Sequence, residues 1–240
     1  MFAIPARPDP RSTDRLPPRL PLLLREMASF AVTRTKASFA GAVPTATKGD
    51  GSDIMVLPGF MASDVTTARL RRSLAAAGYR VHGWGLGRNF GVREDIFARL
   101  DERFDRLELD RPVTLIGWSL GGVIAREFAK YAPGRVAQVI TLGSPFSGDP
   151  RANNAWRLYE LVAGHKVDSP PIDVALEEKP PVRTVALWSS RDGVVAPAAA
   201  RGRRVQSDTR RELGCTHMAF VADPEAIAAI AAEVAAGISR

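Results

Sequence analysis

Ser119 stands between a strand pattern and a helix pattern, and few folds can accommodate that placement. Val113-Thr114-Leu115-Ile116 reads as a short buried strand, and Gly122 through Ala129 reads as a helix. Between them lies Gly117-Trp118-Ser119-Leu120-Gly121, of the form G-x-S-x-G. A chain that leaves a strand and enters a helix within so few residues must turn sharply. Small residues two before and two after the serine let the backbone cross without a Cβ clash. Such a turn lifts the serine Oγ above the sheet edge as a nucleophile. The pentapeptide alone is a weak signal, because glycine and serine are common in turns. The strand before it and the helix after it give it meaning.

From Asp53 onward the same alternation continues. Strands are expected near 53–57, 79–83, 113–117, 136–142, 182–188 and 203–207. Helices are expected near 64–77, 93–108, 120–131, 151–163 and 223–237. This is the pattern of an α/β fold: a mostly parallel six-stranded sheet with helices on both faces. Asp223 is expected to cap the last helix, with Pro224 at its first position. The stretch 147–181 falls outside the alternation and reads as a small cap insertion. Its helix carries Trp156, Leu158, Tyr159 and Leu161, which would either contact an acyl chain or pack the cap on the body.

A serine hydroxyl needs a base, and the base needs an orienting carboxylate. The chain holds three histidines: His82, His165 and His217. His217 lies in a loop before the final helix. Val182–Trp188 is a strand, and Asp192 follows it at the carboxyl end, where α/β sheets place their ligands. Asp168 and Asp173 are the alternative acids, and both lie in the cap.

The chain resembles the lipase and esterase branch of the α/β-hydrolase superfamily. The matching stretches are Leu57-Pro58-Gly59-Phe60-Met61, Gly117-Trp118-Ser119-Leu120-Gly121-Gly122, Thr141 through Gly148, Ser189 through Val195, and Thr216-His217. They occur in the superfamily's order from about Asp53 to the C-terminus. Pro58 and Phe146 stand where many lipases carry histidine, which blurs the subfamily more than the reaction. In that superfamily the chain order is serine, acid, histidine. His82 precedes Ser119 and fails it, so the resemblance implies a triad of Ser119, Asp192 and His217. It also implies an oxyanion hole from the backbone N–H groups of Leu120 and Phe60, with Met61 the alternative in that loop. Met61, Trp118, Trp156 and Asn89 are candidate substrate contacts.

Composition narrows the remaining choices. Hydrophobic residues make up 45% and charged residues 25%, the balance of an ordinary globular domain. The single cysteine, Cys215, excludes an intrachain disulfide and is read as inert. The chain lacks a run of about 18 apolar residues that would span a membrane. The N-terminus lacks a secretory layout, so a cytoplasmic location is expected. No cofactor and no metal cluster are expected, since three scattered histidines and one cysteine do not make a site. Net charge is +7, yet residues 1–48 hold eight Lys/Arg against three Asp/Glu, so the body at 49–240 is nearly neutral. This argues against nucleic acid as a partner. Within the basic leader, residues 20–40 read as an amphipathic helix. It would either pack on the body or, through its basic face, make a peripheral membrane or dimer contact.

The expected partner is a small-molecule ester, cleaved through an acyl-enzyme and of short to medium acyl chain. An acyltransferase would use the same triad, with an alcohol or amine in place of water. A noncatalytic binding protein on the same scaffold is a third reading, opposed by the complete triad.

Overall fold

A computed structural model describes residues 16–24, 26, 41–172 and 174–238. Among them, six strands form one sheet: β1 (Asp53–Leu57), β2 (Arg80–Gly83), β3 (Val113–Trp118), β4 (Val136–Leu142), β5 (Arg183–Trp188) and β6 (Thr209–Glu212). Their spatial order is β2-β1-β3-β4-β5-β6, and every pair is parallel. The helices are α1 (Ala68–Ala76), α2 (Ile96–Arg106), α3 (Leu120–Tyr131), α4 (Trp156–Ala163), α5 (Pro197–Arg201) and α6 (Pro224–Ile238).

A parallel sheet covered on both faces must bury both sides of its central strands. The period-two alternation of β1 shows how. Ile54 and Val56 enter one core with Leu70 and Leu74 of α1 and Ile227, Ile230 and Val234 of α6. Met55 and Leu57 enter the opposite core with Leu100 and Phe104 of α2 and Ile124 and Phe128 of α3. β3 divides likewise: Ile116 and Trp118 go to the first core, Val113 and Leu115 to the second. The sheet is thus locked from both sides at the strand that delivers Ser119. Asp223 Oδ1 accepts the Ala226 N–H at 3.0 Å, so α6 starts on an acidic cap with Pro224 at its first position.

The helices expected near 64–77 and 93–108 are shorter, Ala68–Ala76 and Ile96–Arg106, and two other elements differ more. The last strand lies at Thr209–Glu212, whereas 204–206 form a 3₁₀ turn. Val205, which suggested a strand at 203–207, is exposed, while Gln206 is buried and holds the turn: its Oε1 accepts the Arg203 N–H at 2.6 Å. The polar sequence of β6 is tolerated because it is the sheet edge. The helix expected at 151–163 begins only at Trp156. Asp149 Oδ1 accepts Arg151 N–H and Asn153 Oδ1 accepts Ala155 N–H, so these side chains compete with helical pairing before α4. The short helix α5 carried no sequence signal beyond Pro197 at its start.

The cap is fastened to α3 by two adjacent residues. Arg126, fully buried, donates from Nη2 to the carbonyls of Glu178 (3.2 Å) and Gln206 (3.0 Å) and lies over the Phe146 ring. Burial drops its pKa to about 10. Glu127 accepts the Ala175 N–H through Oε2 and Lys130 Nζ through Oε1. Residues 20–24 and 26 are helical; the rest of the helix expected at 20–40 lies outside the described residues. Among the described residues no helix is long and apolar enough to cross a membrane.

Candidate active site

Ser119 occupies the turn between β3 and α3 with φ 54° and ψ −123°. A non-glycine residue holds such a conformation only where its surroundings impose it. They do so here. Ser119 N–H donates to Leu142 O of β4 at 2.8 Å. A Cβ on Gly117 would lie 2.2 Å from Gly122 Cα, and one on Gly121 would lie 2.3 Å from Leu57 O. The turn is therefore as tight as the motif requires, and α3 begins at Leu120, directly after the serine, with the Gly122 N–H donating back to Ser119 O at 3.0 Å.

Asp192 and His217 arrive from the loops after β5 and β6 at the same sheet edge. Asp192 is almost fully buried. Its Oδ1 accepts the N–H groups of Val194 and Val195, both at 2.8 Å. Its Oδ2 lies 2.7 Å from His217 Nδ1. This fixes the ring with Nδ1 toward the carboxylate and leaves Nε2 as the nitrogen to exchange a proton. Trp118, behind the ring, donates from Nε1 to His217 O at 3.1 Å. Burial by itself pushes the imidazole pKa down. The charge of Asp192, its hydrogen bond and the charge of Glu26 push it up and prevail, so the pKa lies above 6.5. Burial pushes the neighbouring Cys215 thiol up to about 12, which keeps it protonated and unreactive.

The loop after β1 is braced from the loop that follows β2. Met61 N–H donates to Asn89 O (2.7 Å), Asn89 N–H to Ala62 O (2.8 Å), and Asn89 Nδ2 to Pro58 O (2.8 Å). Met61 N–H is thus engaged. The Phe60 ring turns inward and packs on Tyr159 at 5.3 Å.

Beside Ser119 opens a largely apolar cleft of roughly 820 Å³, its open mouth included. One wall is a single face of α3: Leu120, Val123, Ile124 and Glu127. The cap supplies Trp156, Tyr159, Pro170, Ile172, Val174 and Leu176. Val194 and Val195 of the acid loop and Phe60 close it.

Not every expected substrate contact reaches this cleft. Trp156 lines it. Trp118 is buried behind His217, and Asn89 is buried with its amide spent on bracing the β1 loop; neither lines the cleft. Met61 is exposed at the rim and is not among the lining residues. Leu158 and Leu161 of α4 face solvent. His82 pairs with Asp53 and His165 with Val92 O, away from Asp192. Asp168 forms an exposed pair with Arg151, and Asp173 lies outside the described residues. Sequence reasoning missed the α3 wall, although its spacing of three, four and seven residues from Leu120 is the signature of one helix face. It also missed Glu26.

A family model described as PGAP1-like alpha/beta domain matches residues 93–198. A pimeloyl-[acyl-carrier protein] methyl ester esterase of Photobacterium profundum is 36% identical over 116 residues, which are 46% of this chain and 43% of that protein. A protein of the same name from Nitrosospira multiformis is 32% identical over 127 residues, 47% and 46% of the two chains. The chain therefore matches less than half the length of these curated relatives. Among solved structures, carboxylesterase CesB (YbfK) from Bacillus subtilis superposes with TM-score 0.57 at 14% identity, covering 91% of this chain and 99% of that one. Naproxen esterase (carboxylesterase NP) from Bacillus subtilis gives TM-score 0.54 at 14% identity, covering 85% and 96%. At these identities the likeness bears on architecture: the chain has the α/β-hydrolase fold.

Proposed function

We propose that this protein is a serine hydrolase that cleaves carboxylic esters through an acyl-enzyme on Ser119. The observation that carries the reading is the buried Asp192–His217 pair, 2.7 Å apart, at the sheet edge where Ser119 is held at φ 54°. His217 Nε2 takes the Ser119 proton as Oγ attacks the ester carbonyl, and Asp192 stabilises the imidazolium through Nδ1–H. The Leu120 N–H at the head of α3 is one donor to the oxyanion. Because Met61 N–H is engaged by Asn89, Phe60 N–H is the second. His217 then returns its proton to the leaving alcohol. Water, deprotonated by the same imidazole, releases the acid. The curated relatives' name, a methyl ester esterase, and the carboxylesterase neighbours support this chemistry. The test is a panel of p-nitrophenyl esters from acetate to palmitate, with Ser119→Ala as control.

The cleft sets the expected profile. Apart from Glu127, its α3 wall is apolar, as are most of the cap residues lining it, so each methylene placed there contributes at most about 0.8 kcal/mol. The short cap limits its depth. kcat/KM is expected to rise from acetate through short and medium chains and then fall toward palmitate. Trp156→Ala is expected to flatten the rise while sparing acetate. A monotonic climb to palmitate would contradict a cleft of limited depth.

The pH profile follows from His217. The base must be neutral to accept the serine proton, and its pKa is raised by Asp192 and Glu26 against the pull of burial. The acid limb of kcat/KM is therefore expected above the 6.5 of an ordinary imidazole. A limb below that value would show that burial prevails. The same shift has a sign for stability. His217 adds stability that is fully present below its unfolded pKa and is lost as pH rises through the higher folded pKa.

A further inference from the structure

Glu26 is a buried carboxylate in an arginine-rich leader, 1% exposed. A buried carboxylate is costly unless its hydrogen bonds are made. Among the described residues no lysine or arginine pairs with it; its partners are backbone N–H groups. Oε1 accepts Gly193 N–H at 3.0 Å and His217 N–H at 2.5 Å, and Oε2 accepts Met218 N–H at 3.1 Å. Gly193 follows the acid directly, and His217 is the base itself. One carboxylate thus ties the two loops that must stay in register for Asp192 and His217 to meet.

Two further observations show that this seat is built. A Cβ on Gly193 would come within 2.3 Å of Leu22 O and 2.7 Å of Glu26 Cγ, so the acid loop leaves room that the leader fills. Asn154 Nδ2, at the entrance to the cap helix, donates to Pro18 O (3.0 Å) and Gly193 O (2.8 Å). The leader, the acid loop and the cap are therefore joined at one place.

We infer that Glu26 is a positioning residue of the active site, and that the N-terminal segment carrying it completes the site by fastening the acid and histidine loops together. This rests on the serine-hydrolase reading above. Glu26 touches neither substrate nor a reacting atom; it acts through His217. Its second effect is its charge. When His217 takes the serine proton, the imidazolium forms between Asp192 on its ring and Glu26 on its backbone. The titratable groups that act on it are Asp192 of the acid loop and Glu26 of the leader, and the neighbouring Cys215 thiol of its own loop stays neutral.

The experiment compares wild type, Glu26→Gln and Glu26→Asp on p-nitrophenyl butyrate, with the fold checked by near-UV circular dichroism. Glu26→Gln keeps an acceptor for Gly193 and His217 but sets its amide against the Met218 N–H and removes the charge. The expected result is a fall in kcat of roughly tenfold, typical of losing a charge-assisted hydrogen bond at a buried site, with KM little changed. The acid limb of kcat/KM moves to lower pH, because one of the charges raising the His217 pKa is gone. Glu26→Asp keeps the charge and is expected to bring the limb back toward wild type. A folded Glu26→Gln with wild-type kcat and limb, or one that lowers only Tm, overturns the inference. So does failure of both variants to fold, which assigns Glu26 to the fold alone. Ser119→Ala separates the two readings. If it remains active, the serine-hydrolase reading fails; if it is inactive while Glu26→Gln matches wild type, only the role of Glu26 fails.

Discussion

Ser119→Ala is expected to lower kcat for ester hydrolysis by roughly 10⁶-fold, His217→Ala by a similar factor, and the double variant by no more than either. The reason is mechanical. Without Oγ there is no atom to form the acyl-enzyme, and without the imidazole Oγ keeps its proton. Each loss removes the same step, so the second costs nothing further. Both variants should fold. Ser119 is a turn residue whose strained φ is held by Gly117, Gly121 and the Leu142 carbonyl, none of which depends on the hydroxyl. The residual rate should be that of the oxyanion donors and the cleft. Kinetics on one ester with all three variants decides it. Losses that multiply in the double variant would mean that the two residues act in separate steps.

Asp192→Asn is expected to lower kcat by about 10⁴, by analogy with the orienting aspartate of a known triad. Asp192 Oδ1 is committed to the N–H groups of Val194 and Val195. In the variant the carbonyl oxygen keeps those bonds, and the amide NH₂ is left facing His217 Nδ1. A donor there forces the ring into the tautomer whose proton sits on Nε2, the nitrogen that must accept from Ser119. The loop geometry survives while the base is disabled, so circular dichroism and Tm should change little. If Asp192→Asn retains near-native kcat and Asp168→Asn abolishes it, the acid is misassigned. The exposed pairing of Asp168 with Arg151 makes that outcome incompatible with the present site.

Much of this architecture is written in local patterns. The apolar run before Ser119, the small residues on either side of it and the helical run after it are contiguous, and each is read within a few residues. The parallel sheet follows from alternation, because buried strands and amphipathic helices differ in period. Where the reading slipped, the cause was tertiary. Val205 resembles a strand residue, yet Gln206 found side-chain and backbone partners that closed a turn, and the edge strand moved to a polar stretch that periodicity does not flag. Trp118 ends β3 and Asn89 lies in the loop after β2, both near the site, but backbone carbonyls claim their polar groups and turn them away from the cleft. Glu26 could not be found locally at all. Its partners are 167, 191 and 192 residues away, and nothing in a leader rich in arginine marks one glutamate as buried.

In the proposed reaction Ser119 carries the acyl group. Rapid quenching of the protein in acid during turnover of a p-nitrophenyl ester, followed by intact-mass and peptide mass spectrometry, tests it directly. One acyl adduct is expected on the peptide containing Ser119, discharged with time as product forms, and none in Ser119→Ala. An adduct on another residue, or undiminished hydrolysis by Ser119→Ala, would contradict it.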